Sequence, residues 1–548
     1  MRLRHYQIEC VRRVFKKWLM VRSVLAVLAT GAGKTVIFAE VARRAKGRVL
    51  VIAHREELVE QAAKKLEAVC SERVDIEMAD RRAARGAMAA RLVVASVQTL
   101  SSPARRERFA RDYFAAVVVD EAHHATASSY RAVLDYFTSA KVLGVTATPK
   151  RKDEVALGQV FDEVAYDYGI GPAIEDGFLV PVNQQAVKVD GLDFSGVRKA
   201  VSGDLSESDL EMLLNVEKVL HAMAVPTLEV VGDRPALVFC ASVAHAERMA
   251  EVLNRYKANC ARALSGATDK ATRRSVVSEY KSGRVQILCN CSLFLEGFDA
   301  PHTACVVMGR PTNSLALYCQ ILGRATRPLE GVVDRLDDQL PTAYLGMLQA
   351  CAENPGDDLA AMALADWVAE KGEQVASVRR AAIAASDKPS CLVMDFVGNS
   401  GKHKLVSAAD VLGGKYGVQV RDYARQTQEQ EGQAQPVEES LHRANVELAL
   451  IEAIREEDEA RRLRAAVKAR EASYQAVEVS PFADGGPHIA GGDASPQDEP
   501  ASEKQAFLLH RRYGWPLDKA RALKKRQASA IISRCKAAEA AGVARPVA

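Results

Sequence analysis

The stretch SVLAVLAT at residues 23–30, running straight into Gly31-Ala32-Gly33-Lys34-Thr35, decides how this sequence folds. An unbroken apolar run that ends in glycines, a lysine and a hydroxyl is a buried strand entering a tight turn, and the amphipathic residues after it continue as a helix. Glycines let backbone N–H groups come close to an anion, and the first turn of the helix adds a favourable dipole. The turn therefore reads as a phosphate cradle. Thr30, Gly31, Ala32 and Gly33 form its backbone, Lys34 reaches the β- and γ-phosphates of a nucleotide, and Thr35 ligates Mg2+. One departure is visible: Leu28 stands at the first loop position, where glycine or alanine is usual.

Runs of the same kind recur outward from this one. RVLVIAH (48–54), RLVVASV (91–97), AAVVVDEAH (115–123) and KVLGVTATP (141–149) are separated by longer amphipathic stretches. Strands that are apolar throughout are buried on both faces, as in a parallel sheet with helices on either side. The pattern resumes with PALVFCAS (235–242), VQILCNC (285–291), ACVVMGR (304–310) and SCLVMDFVG (390–398). The fold class is α/β: two doubly wound parallel-sheet domains in tandem, over 1–170 and 180–415, joined near Tyr168–Val182.

Composition fits such a chain. It has 548 residues, 48% hydrophobic and 26% charged, enough for three or four domains and unlike a disordered or fibrous protein. The 74 Lys and Arg against 70 Asp and Glu leave +4, too little to imply a polyanionic partner by itself. The charge is uneven, however: residues 501–548 hold eleven Lys and Arg against three Asp and Glu. The eleven cysteines are scattered without a CxxC and read as reduced core residues of a cytoplasmic protein. No apolar run is long enough for a membrane span, and the polar start MRLRHYQ is not a secretory signal.

Four segments depart from the sheet pattern. Residues 334–376 form an acidic helical insert within the second domain; over 330–374 there are ten Asp and Glu against two Lys and Arg. Residues 436–478 suggest a long charged helix, 480–503 a flexible linker rich in Gly, Pro and Ser, and 504–548 a small basic helical module. In that module basic residues surround Tyr513 and Trp515, which suits either contact with nucleic acid or a small bundle with a solvated basic face.

Asp120-Glu121-Ala122-His123 closes the strand Val117–Val119, at the end of the sheet where open α/β folds bind ligands. Asp120 is suited to hold Mg2+, and Glu121 to orient and deprotonate an attacking water.

Together these motifs resemble a superfamily 2 helicase of the DEAH type, near restriction-enzyme motors and repair helicases. The likeness spans roughly residues 1–415 apart from the insert. Leu3-Arg4-His5-Tyr6-Gln7 resembles the adenine-reading motif, which implies that Arg4 and Gln7 meet the base of ATP. Ala53-His54-Arg55-Glu56-Glu57-Leu58 and Ser96-Val97-Gln98-Thr99-Leu100 resemble nucleic-acid-contacting motifs, with Arg55, Gln98 and Thr99 touching the sugar-phosphate backbone. Thr146-Ala147-Thr148-Pro149 resembles the coupling motif, carried by Thr146 and Thr148. Glu296-Gly297-Phe298-Asp299-Ala300-Pro301 and Gln320-Ile321-Leu322-Gly323-Arg324-Ala325-Thr326-Arg327 resemble the last two motifs, which places Gly297 and Asp299 at the nucleotide and Gln320, Arg324 and Arg327 in catalysis. Arg324 and Arg327 are expected one helical turn apart on one face, as arginine fingers. Many relatives have Thr where this chain has Leu295.

The resemblance implies two RecA-like domains, ATP and Mg2+ as cofactors, and nucleic acid as partner, DNA rather than RNA, moved 3′-to-5′. Movement along duplex DNA without unwinding in a restriction or defence system, or an ATP-switched nucleic-acid-binding protein, are the alternatives. The insert resembles a small helical repeat-companion module. It is expected to be a structural or protein-docking addition away from the nucleic-acid track; the C-terminal region is a second place for a protein partner.

Overall fold

A computed structural model describes residues 2–147, 157–200, 203–354, 356–399, 403–474, 499–513 and 516–540. Two compact units result: residues 1–412 with 431–436, and residues 413–430 with 437–548.

The first unit contains two seven-stranded sheets. In the first sheet β1 is Ser23–Leu28, β2 Val49–Ala53, β3 Val74–Glu77, β4 Leu92–Ser96, β5 Ala116–Asp120, β6 Lys141–Thr146 and β7 Glu163–Tyr168. Their spatial order is β3-β4-β2-β5-β6-β1-β7, and every pairing is parallel. The five strands β1, β2, β4, β5 and β6 are the apolar runs recognised in the sequence. β1, β2, β4 and β5 are buried along their whole length. Leu28 is the last residue of β1 and is fully buried. A large side chain at that loop position is thus absorbed by the core.

β3 and β7 escape a reading based on apolar runs. In β3 the acids Asp75 and Glu77 are buried but partnered: Arg73 donates to Asp75 (2.7 Å), and the Arg105 Nε donates to Glu77 (2.6 Å). Burial of a carboxylate is tolerable when it is paired and hydrogen-bonded. β7 is an edge strand with mixed exposure.

The second sheet comprises β8 (Val182–Asp193), β9 (Ala236–Phe239), β10 (Ala261–Leu264), β11 (Ile287–Asn290), β12 (Cys305–Met308), β13 (Cys391–Asn399) and β14 (Gln435–Pro436). Its order is β10-β11-β9-β12-β13-β8-β14, parallel except for the short antiparallel β14. The architecture is therefore α/β with two doubly wound parallel-sheet domains. All ten cysteines whose surroundings are described are free, and eight of them are buried.

Helix α1 (His5–Trp18) buries Ile8, Val11, Val14 and Trp18, while α2 (Lys34–Arg44) begins at the phosphate-type turn. The basic turn after α3 (Leu315–Leu322) departs from expectation. The helix ends at Leu322, and Arg324 and Arg327 lie beyond it rather than one turn apart on a helix face. Arg327 precedes Pro328, whose ring crowds the helical conformation of the residue before it, so the segment leaves the helix before Arg327.

The insert is also differently placed. Its helices are α4 (Thr342–Glu353) and α5 (Asp358–Ala384), so the hairpin ends eight residues beyond the expected 376. It is not a free-standing appendage. Tyr344, Leu348, Cys351, Ala361, Leu364 and Val375 share one apolar cluster with Ile8 of α1, in the first sheet domain. Arg379 donates to the Tyr344 hydroxyl (2.7 Å) and to the Asp176 carbonyl (3.1 Å), with its guanidinium 4.0 Å from the Phe178 ring centroid.

The second unit is built on α6 (Val437–Tyr474), which begins and ends close to the expected long charged helix. The C-terminal helices α7 (Glu503–Tyr513), α8 (Leu517–Ala522) and α9 (Lys525–Ala540) enclose Ala506, Leu509, Ala520, Leu523, Ala528, Ile531 and Ile532, and this cluster also takes in Val446 and Ala453 of α6. The basic module therefore packs on the long helix. The linker residues 480–498, Trp515 and the side chain of Tyr513 lie outside the described residues. No described helix is long and apolar enough to cross a membrane.

Because the insert shares a core with α1, replacing residues 334–384 by a short Gly/Ser linker exposes Ile8 and removes the partners of Arg2 and Arg4. A lower thermal midpoint is expected in a melting experiment on the full chain. A midpoint equal to that of the intact protein contradicts this packing.

Candidate functional site

A cavity of ≈ 850 Å³ lies between the two sheet domains of the first unit. The first domain contributes Arg4, Gln7, Thr30, Gly31, Gly33, Lys34, Thr35, Asp120 and Glu121; the second contributes Gly297, Asp299, Arg324 and Arg327. Both groups of strand-end loops thus face one space, as ligand sites in open α/β sheets do. Ala32 and Gln320, expected here, do not line the cavity. Ala32 offers its carbonyl, which accepts from the Tyr6 hydroxyl (2.8 Å) and the Gln7 amide (3.3 Å).

Close approach dictates glycine at two positions. Gly31 has φ +90, and a Cβ there would lie 2.8 Å from Cγ of Arg327. At Gly323 a Cβ would come within 2.3 Å of the Thr30 Cβ. The arginine-bearing turn of the second domain is therefore seated directly on the phosphate-type turn of the first.

Lys34 Nζ donates to Glu121 Oε1 at 2.8 Å, and both side chains are largely buried. Burial opposes ionisation of Glu121, but the Lys34 ammonium, which also donates to it, outweighs burial and holds the carboxylate below its ordinary range. Burial and the adjacent Glu121 charge instead push Asp120 up to about 7. Glu121 adopts φ +49, and its N–H donates to Asp120 Oδ1 at 3.0 Å. Glu121 Oε2 is buried without a hydrogen-bond partner among the described residues. Two adjoining buried carboxylates, one with an unpartnered oxygen, beside the hydroxyl-bearing Thr35, form a hard oxygen donor set of the sort that suits Mg2+.

Gln7 is 4% exposed and partly committed: its Oε1 accepts from the Arg4 backbone (3.0 Å) and its Nε2 donates to Ala32. One N–H and one lone pair remain for a ligand. Arg4 donates to Asp334 at 3.0 Å and lies 4.8 Å from the Phe178 ring centroid. Arg324 is half-buried, donating to the carbonyls of Phe298 (2.5 Å) and Leu295, and desolvation lowers its pKa. Leu295 thus serves the site through its backbone. Arg327 pairs with Asp299.

The nucleic-acid candidates lie away from this cavity. Gln98 is exposed and donates to the His54 carbonyl (2.8 Å). The Thr99 hydroxyl is held internally, accepting from Ser96 (2.8 Å) and from the Ala79 N–H (3.2 Å). Arg55 is half-buried, with Nε 3.6 Å from Glu296. Thr146 ends β6 fully buried, its hydroxyl 3.4 Å from His123 Nδ1; Thr148 lies outside the described residues.

Sequence reasoning missed Glu296 as an organising residue. This buried carboxylate of the second domain is 2.8 Å from His54 and 3.6–3.8 Å from His124 and His123 of the first. Burial opposes its charge, but hydrogen bonding to His124 and His54 prevails and lowers its pKa. Burial drives His123 down to about 4. Glu296 opens the quoted EGFD motif, so the signal was present; its partners lie too far along the chain for any local pattern to supply them.

Residues 1–151 match the family model described as "Type III restriction enzyme, res subunit", and residues 216–328 match "Helicase conserved C-terminal domain". The chain is 31% identical over 320 residues to the Irc3 helicase of Saccharomyces cerevisiae, covering 55% of this chain and 45% of that protein. It is 26% identical over 368 residues to the Escherichia coli "Type I restriction enzyme EcoAI endonuclease subunit", covering 59% and 44%. With the "DNA 3'-5' translocase XPB2" of Sulfurisphaera tokodaii it shares 25% over 364 residues, covering 59% and 78%. It spans about half the length of the first two. Over its two sheet domains the chain is thus similar to helicases and to restriction-enzyme subunits.

The seating of Gly323 on Thr30 predicts that Gly323→Ala forces the two turns apart. Misplacement by about an ångström can cut catalysis on the order of 100-fold. Nucleotide turnover at saturating substrate should fall accordingly while far-ultraviolet circular dichroism stays unchanged; undiminished turnover contradicts the contact.

Proposed function

We propose that this protein is an ATP-driven motor that moves 3′-to-5′ on nucleic acid, DNA in preference to RNA, and separates strands as it moves. The observation that carries this reading is the convergence of Lys34, Asp120 and Glu121 from one sheet domain with Arg324 and Arg327 from the other around a single cavity. A site divided between two domains changes shape when its ligand changes charge, and that change is the stroke.

In this reading the turn at 30–35 holds the triphosphate, and Arg4 and Gln7 lie at the base. Lys34 is held by Glu121; a phosphate oxygen presented at the turn competes for the same ammonium and frees the carboxylate. Glu121 then orients a water and takes its proton. Thr35 and Asp120 would hold Mg2+, which supplies charge neutralisation at the β- and γ-phosphates. Arg324 and Arg327 stabilise the charge that develops on the transferred phosphoryl group. To do so Arg327 exchanges Asp299 for phosphate.

Thr146, through His123, ties the acid pair to Glu296 and thence to His54 and Arg55. Thr148 belongs to the same coupling motif. Arg55 and Gln98 face the nucleic-acid backbone, with Thr99 fixing the turn that carries Gln98. Backbone contacts carry no base information, so binding should be sequence-tolerant.

Tracking along duplex DNA without strand separation is the second reading, favoured by the likeness to restriction-enzyme subunits and to a protein named a translocase. Strand-displacement and triplex-displacement assays separate the two. Displacement of the triplex strand alone selects the second.

Glu121→Gln should retain ATP binding and lose turnover on the order of 100-fold or more, because an amide can hold water but is a far weaker base. Lys34→Ala should lose binding as well. Wild-type turnover by Glu121→Gln contradicts the general-base role.

A further inference from the structure

We propose that the 334–384 insert is part of the nucleotide site, where it forms the wall against which the base of the nucleotide rests and fixes Arg4 beside that base. This rests on the cavity being the nucleotide site. Leu340, Tyr344 and Leu348, spaced four residues apart along the start of the hairpin, line the same cavity as Lys34 and Thr35. They occupy its Arg4 and Gln7 end, because Tyr344 and Leu348 share a core with Ile8 of α1, and Tyr344 is 3.1 Å from His5 Nδ1. The phosphate-binding turn, Asp120, Glu121, Arg324 and Arg327 are all polar or backbone groups. At that end Leu3, Phe178 and the half-buried Leu340 give the cavity an apolar edge, with the nearly fully buried Tyr344 and Leu348 backing it, and a flat heterocycle buries itself against such an edge.

The insert also orients the cation at that end. Asp334 accepts from Arg4 at 3.0 Å and Asp337 pairs with Arg2. Arg4 stands over one aromatic ring, Phe178, which Arg379 of the insert also covers. A guanidinium held in a fixed plane can stack on a base or donate to its edge; a mobile one is far less selective. Asp334 is thus a positioning residue acting through Arg4. Insert acids near a triphosphate would repel it if they were free, but both are neutralised by arginines of the first domain.

The test measures equilibrium affinity of the full chain for ATP, GTP and inorganic tripolyphosphate. Leu340→Ser alters a half-buried position, and Leu348→Ala trims a buried one. Each should weaken ATP roughly ten-fold, the loss expected from uncovering part of a base, and leave tripolyphosphate unchanged. Asp334→Ala should narrow the preference for ATP over GTP, and Asp334→Glu should restore it. Equal weakening of ATP and tripolyphosphate makes the insert merely structural and overturns the proposal. So does unchanged affinity, or tighter ATP binding, which would mark the insert as a block on the site. Lys34→Ala is the separate check on the site itself: if it binds ATP and tripolyphosphate like the wild type, the nucleotide reading fails first and this inference falls with it.

Discussion

Gly323 meets Thr30 with no room for a methyl group between them, and the rest of the site depends on that contact. It brings the turn carrying Arg324 and Arg327 onto the turn carrying Lys34 and Thr35, so that two separately folded sheets share one polar cavity. Neither sheet alone has both the acids and the arginines. The paired sites at Lys34–Glu121 and Arg327–Asp299 keep these charges neutralised within each domain. A polyanion entering between them has both cations to gain, which is a physical reason for the cleft to tighten around it.

A second contact ties the same two domains on the other side of Glu121. Glu296 places one buried carboxylate among His54, His123 and His124, with Arg55 nearby. A buried charge whose partners are removed costs several kcal/mol, so the domains cannot part there without either hydrating Glu296 or protonating it. His123 lies between Glu121 and Glu296 and also meets Thr146. The acid pair and the strip bearing Arg55 and Gln98 are thus connected by contiguous polar contacts.

Much of this was legible in the sequence because parallel strands buried on both faces must be apolar throughout. That made β1, β2, β4 to β6, β9, β11, β12 and β13 visible, and with them the turns at their ends. β8 was missed because its residues alternate in burial, and β3 because its buried acids borrow arginines from elsewhere. Arg324 and Arg327 do not keep the helical spacing expected of them, because the helix ends at Leu322, before either arginine. The insert's acidic character suggested a solvated surface, yet two of those acids face arginines of the first domain. Charge composition does not reveal which acids are paired, and an apolar stripe does not reveal whose core it joins.

In the proposed motor, occupancy of one cleft by a nucleotide is coupled to a nucleic-acid track on the same two domains. The most direct measurement is steady-state ATP hydrolysis by the full chain with and without single-stranded DNA, duplex DNA and RNA. Coupling requires that DNA raise the rate, with RNA raising it less. Hydrolysis that is the same with and without every nucleic acid would contradict it and leave an ATP-switched binding protein in its place.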